Sequence, residues 1–296
     1  MFSYDHITLE SIHTTWLPED IQAAMLRLDK LHTVVSGNKW FKLQYNLLAA
    51  GSAGRQGILT FGGAYSNHIA ATAAACASQG LRSIGMIRGE APVSANHTLA
   101  AAAGCGMELI HISREAYRQP DREIYWQQQY PDFLVVPEGG HNSAGARGCE
   151  DILSVHPTHY FTHILCAVGT GTTLAGLINS AGVQQHIMGI PVLKGAQYLE
   201  PAVKALLHDK PLPSWELLYD HHLGGYAKIP PILIDFINNF YEETGIPTDV
   251  VYTGKLMMAF RELSRQGRFP AGSRVLLIHT GGLQGNLSLP PGVLSF

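Results

Sequence analysis

The chain has 296 residues, of which 46% are hydrophobic and 15% are charged, and its formal net charge at pH 7 is −3. This composition describes a globular chain with a large core, long enough for two domains or one large domain. Because no basic run accompanies the mild negative charge, nucleic acid is not expected as a partner. The low fraction of charged residues favours an oligomer, and we predict a homodimer.

Two features indicate a reducing compartment. The first ten residues (MFSYDHITLE) lack the basic start and the apolar segment of a signal peptide. The four cysteines, at positions 76, 105, 149 and 166, have no metal-binding spacing, and Cys76 and Cys166 lie in apolar runs. We therefore expect a cytoplasmic protein with reduced thiols and no metal site.

Apolar runs alternate with helical patterns through the first half of the chain. Strands are predicted at residues 57–61, 83–87, 107–112 and 133–137. Between them, one helix is predicted over 67–78, closed by Gly80, and another over 97–103, capped by Asn96 and ended by Gly104. This alternation predicts a parallel sheet with helices on both faces.

The same rhythm restarts in the second half. Residues 161–193 contain no Asp, Glu, Lys or Arg, but Gly, Thr, Asn and Gln interrupt them too often for a membrane span of about 20 apolar residues. A strand (163–168), a turn (169–172), a helix (173–180) and a strand (187–192) are predicted instead. A late strand is predicted over 274–279.

The glycine-rich stretch 138–148 (EGGHNSAGARG) lies between the halves and is predicted as a hinge or active-site loop. We predict an α/β fold of two open, mostly parallel-sheet domains. Residues 43–148 would form the smaller, inserted domain, and residues 1–42 with 149–296 the larger one. Glycine-rich turns follow strands at Gly62, Gly169 and Gly281, so they are expected to converge on one cleft at the carboxyl ends of the strands.

One of these turns has the composition of an anion cradle. Gly169, Thr170, Gly171, Thr172 and Thr173 stand between a strand and a helix, where backbone N–H groups and hydroxyls can bind a phosphate. No Gly-Lys-Ser/Thr follows, and Leu174 occupies the place of the third glycine of a dinucleotide fingerprint. A monophosphate fits better than a dinucleotide, although an ordinary tight turn has about the same composition.

Lys39 and Lys42 are three residues apart, so on a helix they share one face. Their neighbours Trp40, Phe41 and Leu43 are apolar. A lysine in such surroundings has a lowered pKa and can act as nucleophile and base. A solvated pair is the alternative interpretation.

Other candidates carry weaker signals. Ser66 is not a hydrolase nucleophile elbow, because His68 replaces the final glycine. The cluster at positions 156, 159 and 163 has three histidines, but Pro157 breaks any helix there, and a surface loop is favoured over a metal site. Tyr226 after Gly224-Gly225, and Tyr252 in VVYTGK, are packing tyrosines or site residues.

Taken in order, these motifs resemble one family. They are GNK-x-x-KL, GG-x-x-SNH-x-x-x-TAAA, TGTT, GGY, VYTGK and HTGG, spread from about Leu26 to Gly285. The chain is similar to the 1-aminocyclopropane-1-carboxylate deaminase and D-cysteine desulfhydrase family. The resemblance implies the tryptophan-synthase-β-like fold (pyridoxal-phosphate fold type II), pyridoxal 5'-phosphate as cofactor and a small amino acid as substrate.

The resemblance also implies roles for individual residues. Catalytic roles fall on Lys39, the Schiff-base lysine, and on Ser66, Tyr226 and Tyr252. Cofactor binding is implied for Lys39, Lys42, Asn67, Gly169, Thr170, Gly171, Thr172, Thr173, Tyr252, Thr253 and Thr280. Substrate binding is implied for Ser66, Asn67 and His68.

Two positions bear on the reaction. Ring-opening deaminases of the family have Glu and Leu where this chain has Thr253 and Thr280, and desulfhydrases have threonine at both. A threonine beside the pyridine nitrogen implies β-elimination, with Lys39 removing the Cα proton and D-cysteine yielding pyruvate, ammonia and hydrogen sulfide. Phe41 and Tyr65 replace the usual arginine and glutamine, and both are expected to reshape the substrate side.

Two alternatives stay open. One is ring opening or another pyridoxal-phosphate activity on a D-amino acid, such as racemisation. The other, from a different class, is a catalytically silent protein that binds the cofactor or a small anion.

Overall fold

The protein was analysed as a computed structural model, which describes residues 3–91 and 96–296. In these ranges the strands are β1 Leu9–Ser11, β2 Gln22–Arg27, β3 Gly57–Gly62, β4 Arg82–Arg88, β5 Glu108–Ile112, β6 Phe133–Val136, β7 His163–Val168, β8 His186–Pro191, β9 Ser214–Leu217 and β10 Arg274–His279. The α-helices are α1 Asn38–Ser52, α2 Asn67–Ser78, α3 His97–Gly104, α4 Arg114–Arg118, α5 Arg122–Gln129, α6 Ser143–Glu150, α7 Thr172–Ser180, α8 Leu199–Lys204, α9 Pro231–Thr244 and α10 Thr253–Arg265.

The strands form two sheets. The larger has the order β1-β2-β10-β7-β8-β9, and the smaller has the order β5-β4-β3-β6. Every neighbouring pair is parallel except β1 and β2, which are antiparallel. The two open, mostly parallel sheets predicted from the sequence are confirmed.

Strand β10 shows why the larger sheet is covered on both faces. Leu276 and Ile278 pack in the cluster that contains residues of α1, α6 and α7. Val275 and Leu277 pack in the opposite cluster, with residues of α9 and α10. Because successive side chains of a strand point to opposite faces, a continuous apolar run requires helices on both sides.

The smaller sheet is covered in the same way. Leu59 and Phe61 of β3 pack with residues of β4 and with Tyr117 of α4. Ile58 of β3 packs on the other face in a cluster that includes residues of α1 and α2. Helix α1 therefore contributes to a core shared by elements of both sheets, and its first turn is held between them.

The predicted elements agree with the structure with one exception. All of the strands and helices named from the sequence are present, within two residues at their ends. The stretch 138–148 is not a continuous loop, because its second half is helix α6, with Asn142 Oδ1 accepting from the N–H of Gly145 at 2.8 Å. Glycines at 145 and 148 obscured this helix, although both are buried against neighbouring elements.

The domain division at 42/43 and at 148/149 stays a prediction. The first position lies inside α1 and the second inside α6.

Three sequence-based expectations concern membranes, thiols and metals. Among the described helices, none has the length and apolar character that crossing a bilayer requires. All four cysteines are free. Within residues 3–91 and 96–296, no group of His, Cys, Asp and Glu side chains is arranged to hold a metal ion. Of the three clustered histidines, His163 belongs to β7 rather than to a surface loop.

Candidate active site

A cavity of about 520 Å³ opens at the carboxyl ends of strands from both sheets. Its wall includes the turns after β3, β7 and β10, represented by Gly63, Gly169 and Gly281. Parallel sheets carry ligands at this end of their strands, where loops and helix N-termini meet. The predicted convergence of the three glycine-rich turns is confirmed.

Most of the predicted site residues line this one cavity. They are Lys39, Lys42, Ser66, Asn67, His68, Gly169, Thr170, Gly171, Thr173, Tyr226, Tyr252 and Thr280. Two predicted residues, Thr172 and Thr253, do not line it. Both have fully buried side chains with hydrogen-bond partners inside the protein.

Lys39 and Lys42 both lie in the first two turns of α1 and face the cavity, as their spacing predicts. Lys39 Nζ donates a hydrogen bond of 2.8 Å to Asn38 Oδ1 and lies 5.9 Å from the centre of the Tyr252 ring. Burial, reinforced by the Lys42 charge, lowers the pKa of Lys39 to about 7. Near neutral pH its amine is therefore available as a nucleophile and a base.

The start of α1 is fixed by a close approach of two turns. Gly37 has φ +65°, and a Cβ placed on it would lie 2.0 Å from the carbonyl oxygen of Thr280. The N–H of Asn38 donates to the same oxygen at 3.2 Å. The glycine of the GNK motif and the HTGG motif are thus parts of one contact, which places Lys39 beside Thr280.

The turn after β7 has the form of an anion cradle. Gly171 adopts a left-handed conformation (φ 85°) and precedes α7, whose first N–H groups have no partner within the helix. Thr170 and Thr173 line the cavity at this point. Backbone N–H groups and hydroxyls at a helix N-terminus bind a phosphate without requiring an arginine.

A second helix N-terminus faces the same cavity. Ser66 is the N-cap of α2, and its Oγ accepts from the N–H of Ile69 at 3.3 Å. Asn67 and His68 form the first two positions of the helix and line the cavity. The arrangement can bind a second anion, such as a carboxylate, through N–H groups and the helix dipole.

The GGY and VYTGK motifs are connected through Lys255. Its Nζ donates to the carbonyl oxygens of His222 at 2.9 Å and Gly225 at 2.6 Å, which fixes the loop that carries Tyr226. The Tyr226 and Tyr252 rings are 6.3 Å apart in an edge-on arrangement. Burial is the main reason that the pKa of Tyr252 lies well above its ordinary value, so its hydroxyl keeps its proton.

Asp249 determines where Tyr252 and Thr253 lie. Its Oδ2 accepts from the N–H groups of Val251 and Tyr252, both at 2.9 Å. Its Oδ1 accepts from the N–H of Thr253 at 2.7 Å and from Thr253 Oγ1 at 2.6 Å. The Thr253 hydroxyl is therefore committed to Asp249 and does not point into the cavity.

The two departures from the family pattern have different outcomes. Tyr65 lines the cavity with 57% of its surface exposed, so it does shape the cavity wall. Phe41 is fully buried and stacks on Tyr4 with ring centroids 5.3 Å apart. The expectation that Phe41 reshapes the substrate side is wrong, because its side chain points into the core rather than the cavity.

Sequence reasoning missed several lining residues. Asn38, Arg88, Glu138, Gly139 and Tyr198 also line the cavity. Asn38 directly precedes Lys39, and Glu138 and Gly139 belong to the glycine-rich stretch, so position alone could have suggested them. Arg88 and Tyr198 had no such signal, since only the folded chain brings them to the cavity.

Fold and site together define a class of protein. Two sheets of mostly parallel strands, covered by helices, meet at a cleft. The cleft contains a lysine of lowered pKa, a turn with the form of an anion cradle and a second helix N-terminus. That combination is typical of an enzyme that carries a phosphorylated aldehyde cofactor on lysine and acts on an amino acid.

The chain belongs to the family of pyridoxal-phosphate dependent enzymes, which matches residues 18–281. The residues present fit this cofactor. Lys39 would supply the amine for the aldehyde, residues 169–173 would supply donors for the phosphate, and Lys42 would add positive charge.

Similar proteins agree with this assignment. A Thermotoga maritima protein with a provisional 1-aminocyclopropane-1-carboxylate deaminase name is 32% identical over 286 residues, covering 88% of each chain. A D-cysteine desulfhydrase of Salmonella newport is 25% identical, covering 90% of this chain and 88% of its own. The crystal structure of an ACC deaminase homologue superposes with a TM-score of 0.78 at 25% identity, covering 95% of this chain and 90% of the other.

Proposed function

We propose that this protein catalyses β-elimination from a small amino acid, with D-cysteine as the main substrate and pyruvate, ammonia and hydrogen sulfide as products. The main support for β-elimination is the composition of the cavity wall around Lys39. A hydroxyl, that of Thr280, lines the wall beside the lysine helix, and the tyrosines at 226 and 252 stand together on the wall.

Different parts of the cavity bind the substrate and accept its proton in this reaction. The N-terminus of α2, with Ser66 and Asn67, binds and orients the substrate carboxylate. The Lys39 amine, whose lowered pKa of about 7 leaves a large neutral fraction at neutral pH, accepts the proton from Cα. When bound at this site, pyridoxal phosphate acts as an electron sink that stabilises a carbanion at Cα.

The leaving group departs on the side of the tyrosines. Because the Tyr252 hydroxyl keeps its proton, it can donate to a departing thiolate, and Tyr226 stands next to it. Glu138 and Arg88 also line the cavity, so a carboxyl group and a guanidinium group bound the space available to the substrate side chain.

The competing reaction is ring opening of 1-aminocyclopropane-1-carboxylate, the activity that the Thermotoga maritima relative carries in its name. The experiment measures pyruvate and sulfide from D-cysteine and L-cysteine beside 2-oxobutanoate from the cyclopropane amino acid, with purified holoenzyme. We expect D-cysteine to have the highest kcat/KM. Faster release of 2-oxobutanoate, or preference for L-cysteine, contradicts the proposal.

We also propose that the protein works as a cytoplasmic homodimer. The free thiols and the low fraction of charged residues support this assignment. Light scattering after size-exclusion chromatography measures the mass directly, and a monomer mass of 32.2 kDa would contradict the dimer.

A further inference from the structure

His68 has a fixed tautomer. Thr60 Oγ1 lies 2.8 Å from the carbonyl oxygen of Val136 and 2.9 Å from His68 Nε2. The carbonyl can only accept, so the single hydroxyl proton of Thr60 goes to Val136. Thr60 must then accept from His68, and the imidazole carries its proton on Nε2.

The other ring nitrogen, Nδ1, therefore has a lone pair that can accept a hydrogen bond. His68 is 2% exposed and lines the cavity, and its Nδ1 has no hydrogen-bond partner in the part of the chain that the structure describes. Burial, together with the charges of Lys39 and Lys42, holds the pKa of His68 well below its ordinary value, so the ring stays neutral. An unpaired acceptor at this depth is destabilising unless a donor reaches it.

Lys42 has the opposite imbalance. Lys42 is 4% exposed, and among residues 3–91 and 96–296 its Nζ has one hydrogen bond, a long one of 3.4 Å to Thr170 Oγ1. An ammonium group has three donors. Burial lowers the pKa of Lys42. A lysine that binds a phosphate through its charge must stay protonated, and an acceptor for its free N–H groups favours the protonated form.

Of the described residues, the titratable groups that face Lys42 include no carboxylate. They are Lys39 on its own helix, His68, His141, Cys149 and Cys166. Burial raises the pKa of Cys149 to about 11 and that of Cys166 to about 12, so both thiols are neutral. His141 Nδ1 is already within 3.1 Å of Thr172 Oγ1. His68 is therefore the uncommitted acceptor of this set.

The two side chains meet over one glycine. A Cβ on Gly140 would lie 3.1 Å from Lys42 Cβ and 3.5 Å from His68 Cε1, the ring carbon between Nδ1 and Nε2. The glycine, at φ +68°, leaves open the space that the two side chains share. The flexible stem of Lys42 can carry its Nζ toward the ring without moving the backbone.

We propose that His68 accepts a hydrogen bond from the Lys42 ammonium group through Nδ1 and thereby keeps Lys42 charged for the cofactor phosphate while Lys39 is neutral. His68 is thus a positioning residue that separates the charge states of the two lysines. The inference rests on the cofactor-binding role of Lys42, not on the identity of the substrate.

The test uses two variants of one side chain. In His68→Asn the amide oxygen takes the place of Nδ1 and can accept from Lys42. In His68→Leu, which is close to asparagine in shape, the side chain offers Lys42 no acceptor. The measured quantity is the affinity for pyridoxal 5'-phosphate from neutral to alkaline pH, with inorganic phosphate as a second probe that cannot react with Lys39.

Binding of both probes should weaken as pH rises through the pKa of Lys42. We expect His68→Leu to move this decline to lower pH by about one unit, which is about tenfold weaker binding at a fixed alkaline pH. His68→Asn should stay close to the wild-type curve. Equal curves for the wild type and His68→Leu would overturn the proposal.

Histidine ¹⁵N NMR of the full chain supplies an independent readout. We expect the Nε2–H tautomer of His68 in the wild type and in Thr60→Ser. An Nδ1–H tautomer in the wild type also overturns the proposal. Neither readout needs turnover, so failure to form pyruvate would count against the proposed function and leave this inference standing.

Discussion

Asn38 Nδ2 donates a hydrogen bond of 2.7 Å to Thr173 Oγ1, across 135 positions of the sequence. Asn38 Oδ1 accepts from Lys39 Nζ at 2.8 Å. One amide therefore joins the lysine amine to the phosphate cradle. This contact holds the Lys39 amine at a set distance from the turn that the proposed function assigns to the cofactor phosphate.

Thr173→Val should weaken cofactor affinity about fivefold to tenfold, because it removes a cavity hydroxyl and leaves the Asn38 amide unpaired at a cost of about 1 kcal/mol or more. Thr172→Val is the matched control, since the Thr172 side chain does not line the cavity and contacts His141 and Thr170 instead. Affinity is measured by equilibrium dialysis against pyridoxal phosphate. A larger loss in Thr172→Val than in Thr173→Val would contradict the assignment.

The two lysines should respond differently to truncation. Lys39→Ala is expected to abolish covalent attachment of the cofactor, because Lys39 combines a pKa of about 7 with a place beside Tyr252. Lys42→Ala should keep the attachment and weaken affinity. Borohydride reduction followed by peptide mapping locates the modified lysine in the wild type. A label on Lys42 would exchange the two roles.

The strength of the sequence signal differed from one part of the site to another. The GNK and SNH motifs predicted Lys39 and Ser66 at helix starts because a glycine turn and an N-cap are local features. Asp249 and Thr60 gave no such signal, because their partners are set by packing and not by spacing. Phe41 illustrates the same point, since a one-residue step along α1 takes a side chain from the cavity to the core.

The cofactor-free protein should become more stable as pH rises from about 7 toward 10.5. Lys39 has a pKa of about 7 in the folded chain and an ordinary value of 10.5, so in this window the unfolded chain binds more protons. Unfolding then costs more free energy at higher pH. Urea unfolding across this range measures the slope, and Lys39→Met should flatten it. A steeper slope in the variant would contradict the lowered pKa.

The resemblance gives ring-opening deaminases a glutamate at the position of Thr253. In this chain a carboxylate at position 253 is expected to destabilise the fold. The Thr253 hydroxyl donates to Asp249 Oδ1 at 2.6 Å and accepts from the Asp249 N–H at 2.7 Å, and both side chains are fully buried. Glu at this position would place a second buried carboxylate against the first.

Thr253→Glu is therefore expected to lower the free energy of unfolding by about 3 kcal/mol or more, or to force one carboxyl group to hold a proton. Thr253→Ser, which keeps the hydroxyl, should cost less than half as much. Adding Asp249→Asn to Thr253→Glu should recover part of the loss, because it removes the charge repulsion. Thermal melts of the three variants measure these differences. A Thr253→Glu protein as stable as the wild type would show that the side chain at 253 reaches the cavity instead of Asp249.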